Sequence, residues 1–307
     1  MGCLSKGIEM KENILLVGTG ALSTLFAARL SEAGHHVSML GTWKDGLQAL
    51  NQNGARVAET NGKERAFQVY ATDNPSDLSN VKHAIVLVKS WQTKRVAEKL
   101  KGILAPDGMV LTLQNGLGNR ETLSRDLGAE RVALGVTTTG ATLLGPGLVK
   151  VGGAGVISLE QNQALGPLEA ALRSSNFNLQ IVQDAKSLVW GKLIINAAIN
   201  PLTALLQVPN GELLSHPWAR KAMSALAREA AEVAQAEHVN LPFSNPIEAV
   251  EDVARKTAKN LSSMFQDVRR GAPTEIDAIC GAVTKRGEMH GISTPYNRSC
   301  WQLVKAM

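Results

Sequence analysis

A short loop with two glycines near the start of the sequence constrains the fold more than any other feature. Gly18 and Gly20 flank Thr19 directly after the apolar run of residues 14–17, and an Ala- and Leu-rich helical pattern follows over residues 21–33. Such glycines permit the tight turn of a strand–loop–helix unit and let a phosphate approach the N–H groups at the helix N-terminus. The third small position is Ser23, where Gly or Ala is usual. We predict a dinucleotide-binding βαβ unit, with a structural glycine turn in a flavodoxin-like fold as the alternative.

Short apolar runs alternate with helical patterns through the first two-thirds of the sequence. After the first strand we predict strands over His36–Leu40, His83–Val88 and Met109–Leu113, and later, antiparallel candidates over Val132–Thr139 and Leu148–Leu159. This alternation is typical of a parallel sheet covered by helices.

The sequence pattern changes after Asp184. Helical periodicity continues from there to the C-terminus, with breaks predicted at prolines such as Pro201. A chain of 307 residues also suits two domains better than one. The predicted fold is α/β, with an N-terminal Rossmann-type doubly wound sheet in residues 1–183 followed by an all-helical C-terminal domain in residues 184–307.

The composition argues against several classes of protein. The net charge of +5 is modest, Lys and Arg are spread along the chain, and aromatic residues make up 4%, so we expect no nucleic-acid partner. Cys3, Cys280 and Cys300 form no C-x-x-C pair, so we expect neither a metal site nor a disulfide framework. We identify no apolar stretch of membrane-spanning length. We therefore expect a cytoplasmic protein without a membrane partner, preceded by a short disordered lead over residues 1–12.

The residues after the second strand bear on the choice of cofactor. An acid at this position binds the ribose hydroxyls of NAD, whereas a cation accommodates the 2′-phosphate of NADP. Lys44 is a candidate for the phosphate and Trp43 for stacking on adenine, although both would also suit a simple helix start. We predict NADP, and Asp45 keeps NAD as an alternative. The predicted cofactor-binding residues of this half are Gly18, Thr19, Gly20, Ala21, Leu22, Trp43 and Lys44.

A thin polar stripe marks an otherwise apolar helix over residues 190–203. Lys192, Asn196 and Asn200 are spaced by four residues and therefore share one face of the helix. Desolvation would lower the pKa of a lysine in apolar surroundings toward the range useful for proton transfer. Lys192 is accordingly a candidate acid–base group, and a solvated polar stripe is the alternative.

Three further segments carry polar residues. Asn115 and Gly116 follow a predicted strand at its carboxyl end, where ligands bind in open α/β sheets, although Asn-Gly is also an ordinary turn. Residues 260–267 and 274–277 place small polar and acidic side chains near predicted helix starts. Their hydroxyls either bind a carboxylate or cap helices.

Together these segments resemble the 2-dehydropantoate 2-reductase (ketopantoate reductase) family over nearly the whole chain. The segments that carry the resemblance are residues 18–21, 88–92, 114–116, 135–139, 190–203, 209–212, 260–267 and 274–277. The resemblance implies NADPH-dependent reduction of 2-dehydropantoate to (R)-pantoate, on the route to pantothenate. It also implies a Rossmann domain, a helical domain and a site in the cleft between them.

The resemblance also assigns roles to individual positions. Lys192 resembles the general acid of the family, and Glu275 the acidic residue that holds that lysine or a substrate hydroxyl. Asn115 resembles the residue beside the nicotinamide and the reacting carbonyl, and Lys89 a cofactor-side lysine. Many members place an Arg where this chain has Trp43 and Lys44. The positions that resemble substrate-binding residues are Asn115, Asn196, Asn200, Asn260 and Ser263.

Two other functions fit the same residues. The first is reduction of another branched 2-keto acid, or dehydrogenation of a D-2-hydroxy acid, because side-chain specificity depends on pocket shape. The second is a non-catalytic sensor that binds NADP, for which Lys192 and Glu275 would have no use. The partner expected in the catalytic cases is a small-molecule 2-keto acid, and a homodimer remains open.

Overall fold

The computed structural model describes residues 11–59, 62–153 and 155–307. The expectations about Cys3 and about the first ten residues lie outside these ranges. Contacts divide the chain into two units. Unit 1 comprises the described residues up to Val88, Arg95–Leu113 and Ser124–Ile181. Unit 2 comprises Lys89–Lys94, Gln114–Leu123 and Val182–Met307, so the predicted single boundary after residue 183 stays a prediction.

The first part of the chain alternates strands and helices. Its strands are β1 (Asn13–Val17), β2 (His36–Leu40), β3 (Ala55–Ala58), β4 (Glu64–Phe67), β5 (Tyr70–Thr72), β6 (Val81–Val86), β7 (Leu104–Thr112), β8 (Val132–Thr137), β9 (Ala141–Gly145), β10 (Leu148–Val151), β11 (Val156–Glu160) and β12 (Asn178–Val182). Its helices are α1 (Ala21–Glu32), α2 (Lys44–Asn53), α3 (Thr93–Lys101), α4 (Asn119–Leu127) and α5 (Gly166–Ser174).

The larger sheet has the strand order β12-β11-β8-β7-β6-β1-β2-β5 among the described residues. Pairing is parallel from β5 through β2, β1, β6 and β7 to β8, and antiparallel between β8 and β11. The order β5-β2-β1-β6-β7-β8 is that of a doubly wound Rossmann sheet, which confirms the predicted fold class. Val17 lies opposite both Leu40 and Val86, so these three strands end at one edge of the sheet.

A second, smaller sheet in unit 1 has the order β4-β3-β10-β9 within the described part of the chain. The sequence patterns did not predict it, because short strands such as β4 are largely exposed and lack an apolar alternation. Helix α1 contacts strands of both sheets, and the Phe26 ring packs 4.4 Å from that of Phe177 between centroids. The helix is thus held on both sides, which fixes its N-terminus beside Gly20.

The prediction of a single strand over Leu148–Leu159 is wrong. The segment forms β10 and β11, which belong to different sheets. Glycines separate them: Gly153 adopts a φ of +133°, and a Cβ on Gly152 would lie 3.0 Å from the backbone carbonyl carbon of Gly140. The close approach of Gly152 to Gly140 and the left-handed φ of Gly153 end the strand here, although the apolar pattern of the sequence continues beyond this point.

Unit 2 is helical beyond β12, as predicted. Helix α6 contacts at least five of the helices that follow, and its buried side chains include Trp190 and Ile194. The Asp184 side chain caps its first turn by accepting the Ser187 N–H at 2.8 Å. The helices are α6 (Ala185–Leu206), α7 (Glu212–Ser215), α8 (Pro217–Ala236), α9 (Pro246–Lys256), α10 (Ser263–Arg269), α11 (Cys280–Met289) and α12 (Pro295–Lys305).

The predicted break at Pro201 is wrong, because α6 continues through this residue. Proline has no N–H to donate to the carbonyl four residues earlier, which here belongs to Ala197. The Cys280 thiol lies 3.7 Å from that carbonyl oxygen and donates to it instead. A side chain from α11 therefore satisfies the acceptor that proline leaves open in the core.

Helix α6 is also long and apolar enough to cross a membrane, by length and composition alone. The expectation that no stretch reaches this length is wrong. However, 67% of its most apolar window is buried inside the protein, as for the central helix of a folded core.

Candidate active site

The glycine loop turns the chain from β1 into α1 within unit 1. Gly18 has a φ of +131°, a left-handed value that favours glycine, and its N–H donates to the Leu40 carbonyl at 2.8 Å. A Cβ on Gly18 would lie 2.6 Å from the Ser23 hydroxyl oxygen. The turn is therefore packed directly against the first turn of the helix, at the third small position of the motif.

The N-terminus of α1 fits the phosphates of a dinucleotide. At Gly20, its N-cap, an added Cβ would meet no described protein atom within 4 Å, so the approach is open. The first turn of α1 contains no acidic residue. The hydroxyls of Ser23 and Thr24 are buried without a hydrogen-bond partner among the described residues. Exposed N–H groups and the helix dipole favour an anion at such a position.

The segment after β2 lies next to this loop. A Cβ on Gly41 would come 2.5 Å from the Thr19 side chain, so the loop and the strand end are in close contact. Trp43 is the N-cap of α2, which begins at Lys44. The Trp43 ring packs against Gly46, where a Cβ would lie 2.4 Å from Cε3. Lys44 is exposed at the start of the helix.

The polar stripe of α6 lies in unit 2. Asn200 is buried, whereas Lys192 and Asn196 are half-buried. Burial lowers the pKa of Lys192 from its ordinary value of 10.5 to about 8, and the negative charge of Glu275 acts in the opposite direction. Lys192 thus remains mostly protonated at neutral pH, but releases its proton far more readily than an exposed lysine.

Glu275 is the centre of a hydrogen-bonded cluster in unit 2. Its carboxylate is 5% exposed. Oε1 accepts the Ser90 N–H at 3.1 Å, and Oε2 accepts the Asn115 amide at 3.1 Å. The Lys89 ammonium lies 3.6 Å from Oε2. We call Lys89, Ser90, Asn115 and Glu275 the Glu275 cluster, and we include Lys192 because its charge interacts with that of Glu275.

Asp267 holds Lys89 from the other side. Its carboxylate is 2% exposed, and it accepts Lys89 Nζ at 2.6 Å and an Arg270 guanidinium N–H at 2.7 Å. Two cations therefore balance this buried charge. Because Lys89 lies between Asp267 and Glu275, its ammonium has little freedom to move.

Local backbone structure explains how distant parts of the sequence meet at Glu275. Ser90 begins a short 3-10 helix, whose first N–H groups lack helical partners. Gly116 has a φ of +83°, and a Cβ there would lie 2.5 Å from the Ala278 carbonyl oxygen. The Leu117 N–H donates to that same oxygen at 3.0 Å. This contact places the Asn115 loop against the turn that carries Glu275.

The predicted helix start at residues 274–277 is wrong, because these residues form a bend and turn and α11 begins at Cys280. The side chains are occupied elsewhere: Glu275 lies in its cluster, and Asp277 accepts Trp301 Nε1 at 2.8 Å and Lys305 Nζ at 2.9 Å. A carboxylate engaged in tertiary contacts is not available to cap a first turn.

Several predicted site residues lie together and others do not. The Glu275 cluster joins Lys89, Asn115, Lys192 and Glu275, which are far apart in the sequence. In the part of the chain that the structure describes, the exposed side chains of Asn260 and Ser263 make no hydrogen bond to this cluster. The N-cap of α10 is Ser262, whose hydroxyl accepts the Phe265 N–H at 3.1 Å. The predicted substrate roles stay predictions.

Sequence reasoning missed two members of the site. Ser90 contributes only its backbone N–H, and the type of residue at this position does not reveal such a role. Asp267 lies in one of the segments singled out, and an acid among apolar residues of a short helix was the available signal. Among the described residues, no group of three or more His, Cys, Asp or Glu could hold a metal ion.

A Rossmann-type sheet with a phosphate-ready glycine loop, together with a lysine of lowered pKa beside a buried carboxylate, is typical of nicotinamide-dependent oxidoreductases. Family comparison agrees with this class. The model of the family "Ketopantoate reductase PanE/ApbA" matches residues 14–163, and that of its C-terminal part matches residues 184–307. The chain belongs to the ketopantoate reductase PanE/ApbA family and is an oxidoreductase.

Individual relatives match over nearly their whole length. The 2-dehydropantoate 2-reductase of Archaeoglobus fulgidus is 36% identical over 96% of this chain and 98% of its own. That of Halobacterium salinarum is 33% identical, with 95% and 97% covered. A PanE/ApbA family ketopantoate reductase from Ralstonia eutropha has a TM-score of 0.89 and 31% identity, with 96% and 97% covered. D-mandelate dehydrogenase with NADH and anilino(oxo)acetate has a TM-score of 0.88 and 26% identity, with 96% and 97% covered.

Proposed function

We propose that this protein catalyses the NADPH-dependent reduction of 2-dehydropantoate to (R)-pantoate, a step toward pantothenate. The observation that carries the proposal is Lys192 on the polar face of α6, whose pKa burial lowers to about 8 and whose charge interacts with that of Glu275. The activity named for the archaeal relatives supports the choice of substrate. The partner is a small-molecule 2-keto acid.

The residues of unit 1 bind the cofactor in this proposal. The N–H groups at the start of α1 hold the pyrophosphate where Gly20 leaves room for it. Lys44 neutralises the 2′-phosphate, and Trp43 provides a flat ring for the adenine. Bound NADPH supplies a hydride to the 2-keto carbon of the substrate.

In this proposal, the residues of unit 2 donate the proton and bind the substrate. As negative charge develops on the former carbonyl oxygen, the Lys192 ammonium stabilises it and donates a proton. Glu275 keeps that ammonium charged by its own negative charge. Asn115, whose amide is held by its bond to Glu275, lies beside the nicotinamide and the reacting carbonyl in this proposal. Asn196 and Asn200, with Asn260 and Ser263, bind the substrate hydroxyl and carboxylate.

A second candidate function is supported by one specific comparison. D-mandelate dehydrogenase is an NADH-bound structure of high similarity, although only 26% identical. A related activity on a D-2-hydroxy acid or another branched 2-keto acid would use the same proton donor in the same way. It would differ in the pocket that binds the substrate side chain. Its cofactor affinity would also depend less on Lys44, since NADH carries no 2′-phosphate.

The experiment follows NADPH and NADH absorbance with 2-dehydropantoate and a panel of 2-keto acids that includes phenylglyoxylate. The proposal expects the highest kcat/KM with NADPH and 2-dehydropantoate. A higher kcat/KM with NADH and phenylglyoxylate would favour the second candidate. Cofactor binding without turnover of any substrate would instead identify a sensor, and would contradict the acid–base role of Lys192.

A further inference from the structure

Two buried side chains link the segments that carry the donors to Glu275. Ser90 and Asn115 each donate one hydrogen bond to its carboxylate, but they lie in different segments of the chain. Thr93 is 2% exposed and Asn119 is 5% exposed, and neither contacts Glu275 in the hydrogen bonds described. They connect the segment that contains Ser90 to the segment that contains Asn115, and they do not bond to Glu275 themselves.

The bonds form a continuous chain. The single proton of the Thr93 hydroxyl is shared between two acceptors, the Ser90 carbonyl oxygen at 2.8 Å and Asn119 Oδ1 at 2.8 Å. The hydroxyl oxygen accepts the Gln114 amide at 2.8 Å. Asn119 Nδ2 in turn donates to the Asn115 carbonyl oxygen at 2.9 Å. The Thr93–Asn119 pair therefore holds the backbone of both residues that grip Glu275.

The geometry is more than a helix cap. A threonine that bonds only the carbonyl three residues back is a common local motif. Here the same hydroxyl also accepts from a side chain 21 residues away and shares its proton with another 26 residues away, so it links two segments. Because the pair is buried, a lost partner leaves unsatisfied polar groups that no water can easily reach.

We propose that Thr93 and Asn119 are positioning residues for catalysis. They set the spacing between the Ser90 N–H and the Asn115 amide, and thereby hold the Glu275 carboxylate at the place where it supports the charge of Lys192. The proposal rests on the proposed function for its kinetic consequences. The structural coupling itself is measurable in the protein without cofactor.

The test compares substitutions that separate the hydroxyl from the side-chain shape. Thr93→Val keeps the shape and removes the hydroxyl, whereas Thr93→Ser keeps the hydroxyl. Thr284→Val is the matched control, because Thr284 is fully buried in unit 2 and its hydroxyl has no partner among the described residues. Asn119→Ala breaks the chain at its other end and serves if Thr93→Val does not fold.

The first readout is hydrogen exchange of the Ser90 amide in cofactor-free protein, with circular dichroism to verify folding. Exchange is expected to accelerate about tenfold in Thr93→Val and Asn119→Ala, the equivalent of one lost hydrogen bond. Thr93→Ser and Thr284→Val are expected to match the parent protein. Unchanged exchange in both disrupted variants overturns the proposal, whether or not the protein reduces a 2-keto acid.

The second readout is the kinetics with NADPH and 2-dehydropantoate. Thr93→Val is expected to lower kcat about tenfold while leaving KM for NADPH unchanged. In Thr93→Val, the decline of activity at alkaline pH should begin at a lower pH than in the parent protein, because a displaced Glu275 raises the pKa of Lys192 less. A purely structural role would leave the pH profile in place. Equal impairment in Thr93→Ser would show that shape matters instead of the hydroxyl and would also overturn the proposal.

Discussion

The glycine loop of unit 1 and the Glu275 cluster of unit 2 are built in opposite ways. The loop uses consecutive residues, and its chemistry comes from backbone N–H groups that Gly18 and Gly20 leave accessible. The cluster uses side chains drawn from positions 89 to 275, and only Ser90 contributes backbone. The first site is local in sequence and tolerant of side-chain identity beyond its glycines. The second depends on tertiary packing and on each side chain.

This contrast separates binding from chemistry. A backbone site attracts phosphate through the helix dipole whether or not a reaction follows. A lysine whose pKa burial lowers to about 8 has a specific use in proton transfer. Substitutions in the two places should therefore fail differently, and the following measurements use that difference.

The largest expected effect is on turnover. Lys192→Ala should lower kcat about 10²- to 10⁴-fold, because the proton donor and its charge are both lost. The dissociation constant for NADPH, measured by calorimetry, should stay close to that of the parent protein, since the cofactor loop lies in unit 1. Near-normal turnover in this variant would remove Lys192 from the mechanism.

The next effect is on cofactor affinity. Gly18→Ala places a side chain at a φ of +131° and against Ser23, and should raise the NADPH dissociation constant about 10- to 100-fold while lowering stability by roughly 1–3 kcal/mol.

Gly20→Ala is the matched variant, because its added methyl meets no described protein atom within 4 Å. It should weaken NADPH binding, yet change thermal stability much less than Gly18→Ala. If Gly20→Ala bound NADPH normally, the pyrophosphate would not approach the loop at this point.

The pH dependence is a third measurement. Reduction requires protonated Lys192, so kcat/KM, which reports ionisations of the free enzyme, should be level well below pH 8 and fall about tenfold per unit well above the pKa of about 8. The reverse oxidation should change in the opposite direction. The residual activity of Lys192→Arg should not decline above pH 8, because arginine keeps its proton throughout the range. If the activity of the parent protein did not decline above pH 8, the assignment of Lys192 as the proton donor would be contradicted.

The smallest expected effect concerns the choice of dinucleotide. Lys44→Glu should reduce the preference for NADPH over NADH about 3- to 10-fold, because an exposed ion pair contributes up to about 1 kcal/mol. Lys150→Glu, an equal charge change at an exposed residue of β10, serves as the control. Equal ratios of kcat/KM for the two dinucleotides in Lys44→Glu and the parent would exclude Lys44 from phosphate recognition.

Sequence reasoning recovered the parts of the fold that rest on periodic patterns. The positions of β1, β2, β6, β7 and β8, the loop at Gly18 and the helical region after residue 184 follow from apolar periodicity and glycine placement. The smaller sheet was missed because residues 64–67 of β4 are mostly exposed, and exposure removes the apolar alternation.

The candidate site was less accessible to sequence. The spacing of Lys192, Asn196 and Asn200 identified one face of α6, but nothing in that helix indicates a partner at residue 275. Family resemblance supplied Glu275. The Asp267 contact with Lys89 depends on packing between elements that are 178 residues apart, which no local pattern records.

The thiol that bonds the Ala197 carbonyl links two positions whose residue types would otherwise be independent. Pro201 creates an acceptor without a donor, and Cys280 supplies one. An alanine at 201 would restore the N–H and make the thiol redundant, whereas an alanine at 280 would leave a buried carbonyl bare. Positions 201 and 280 should therefore covary among homologues, with small hydrogen-bond donors at 280 accompanying proline at 201.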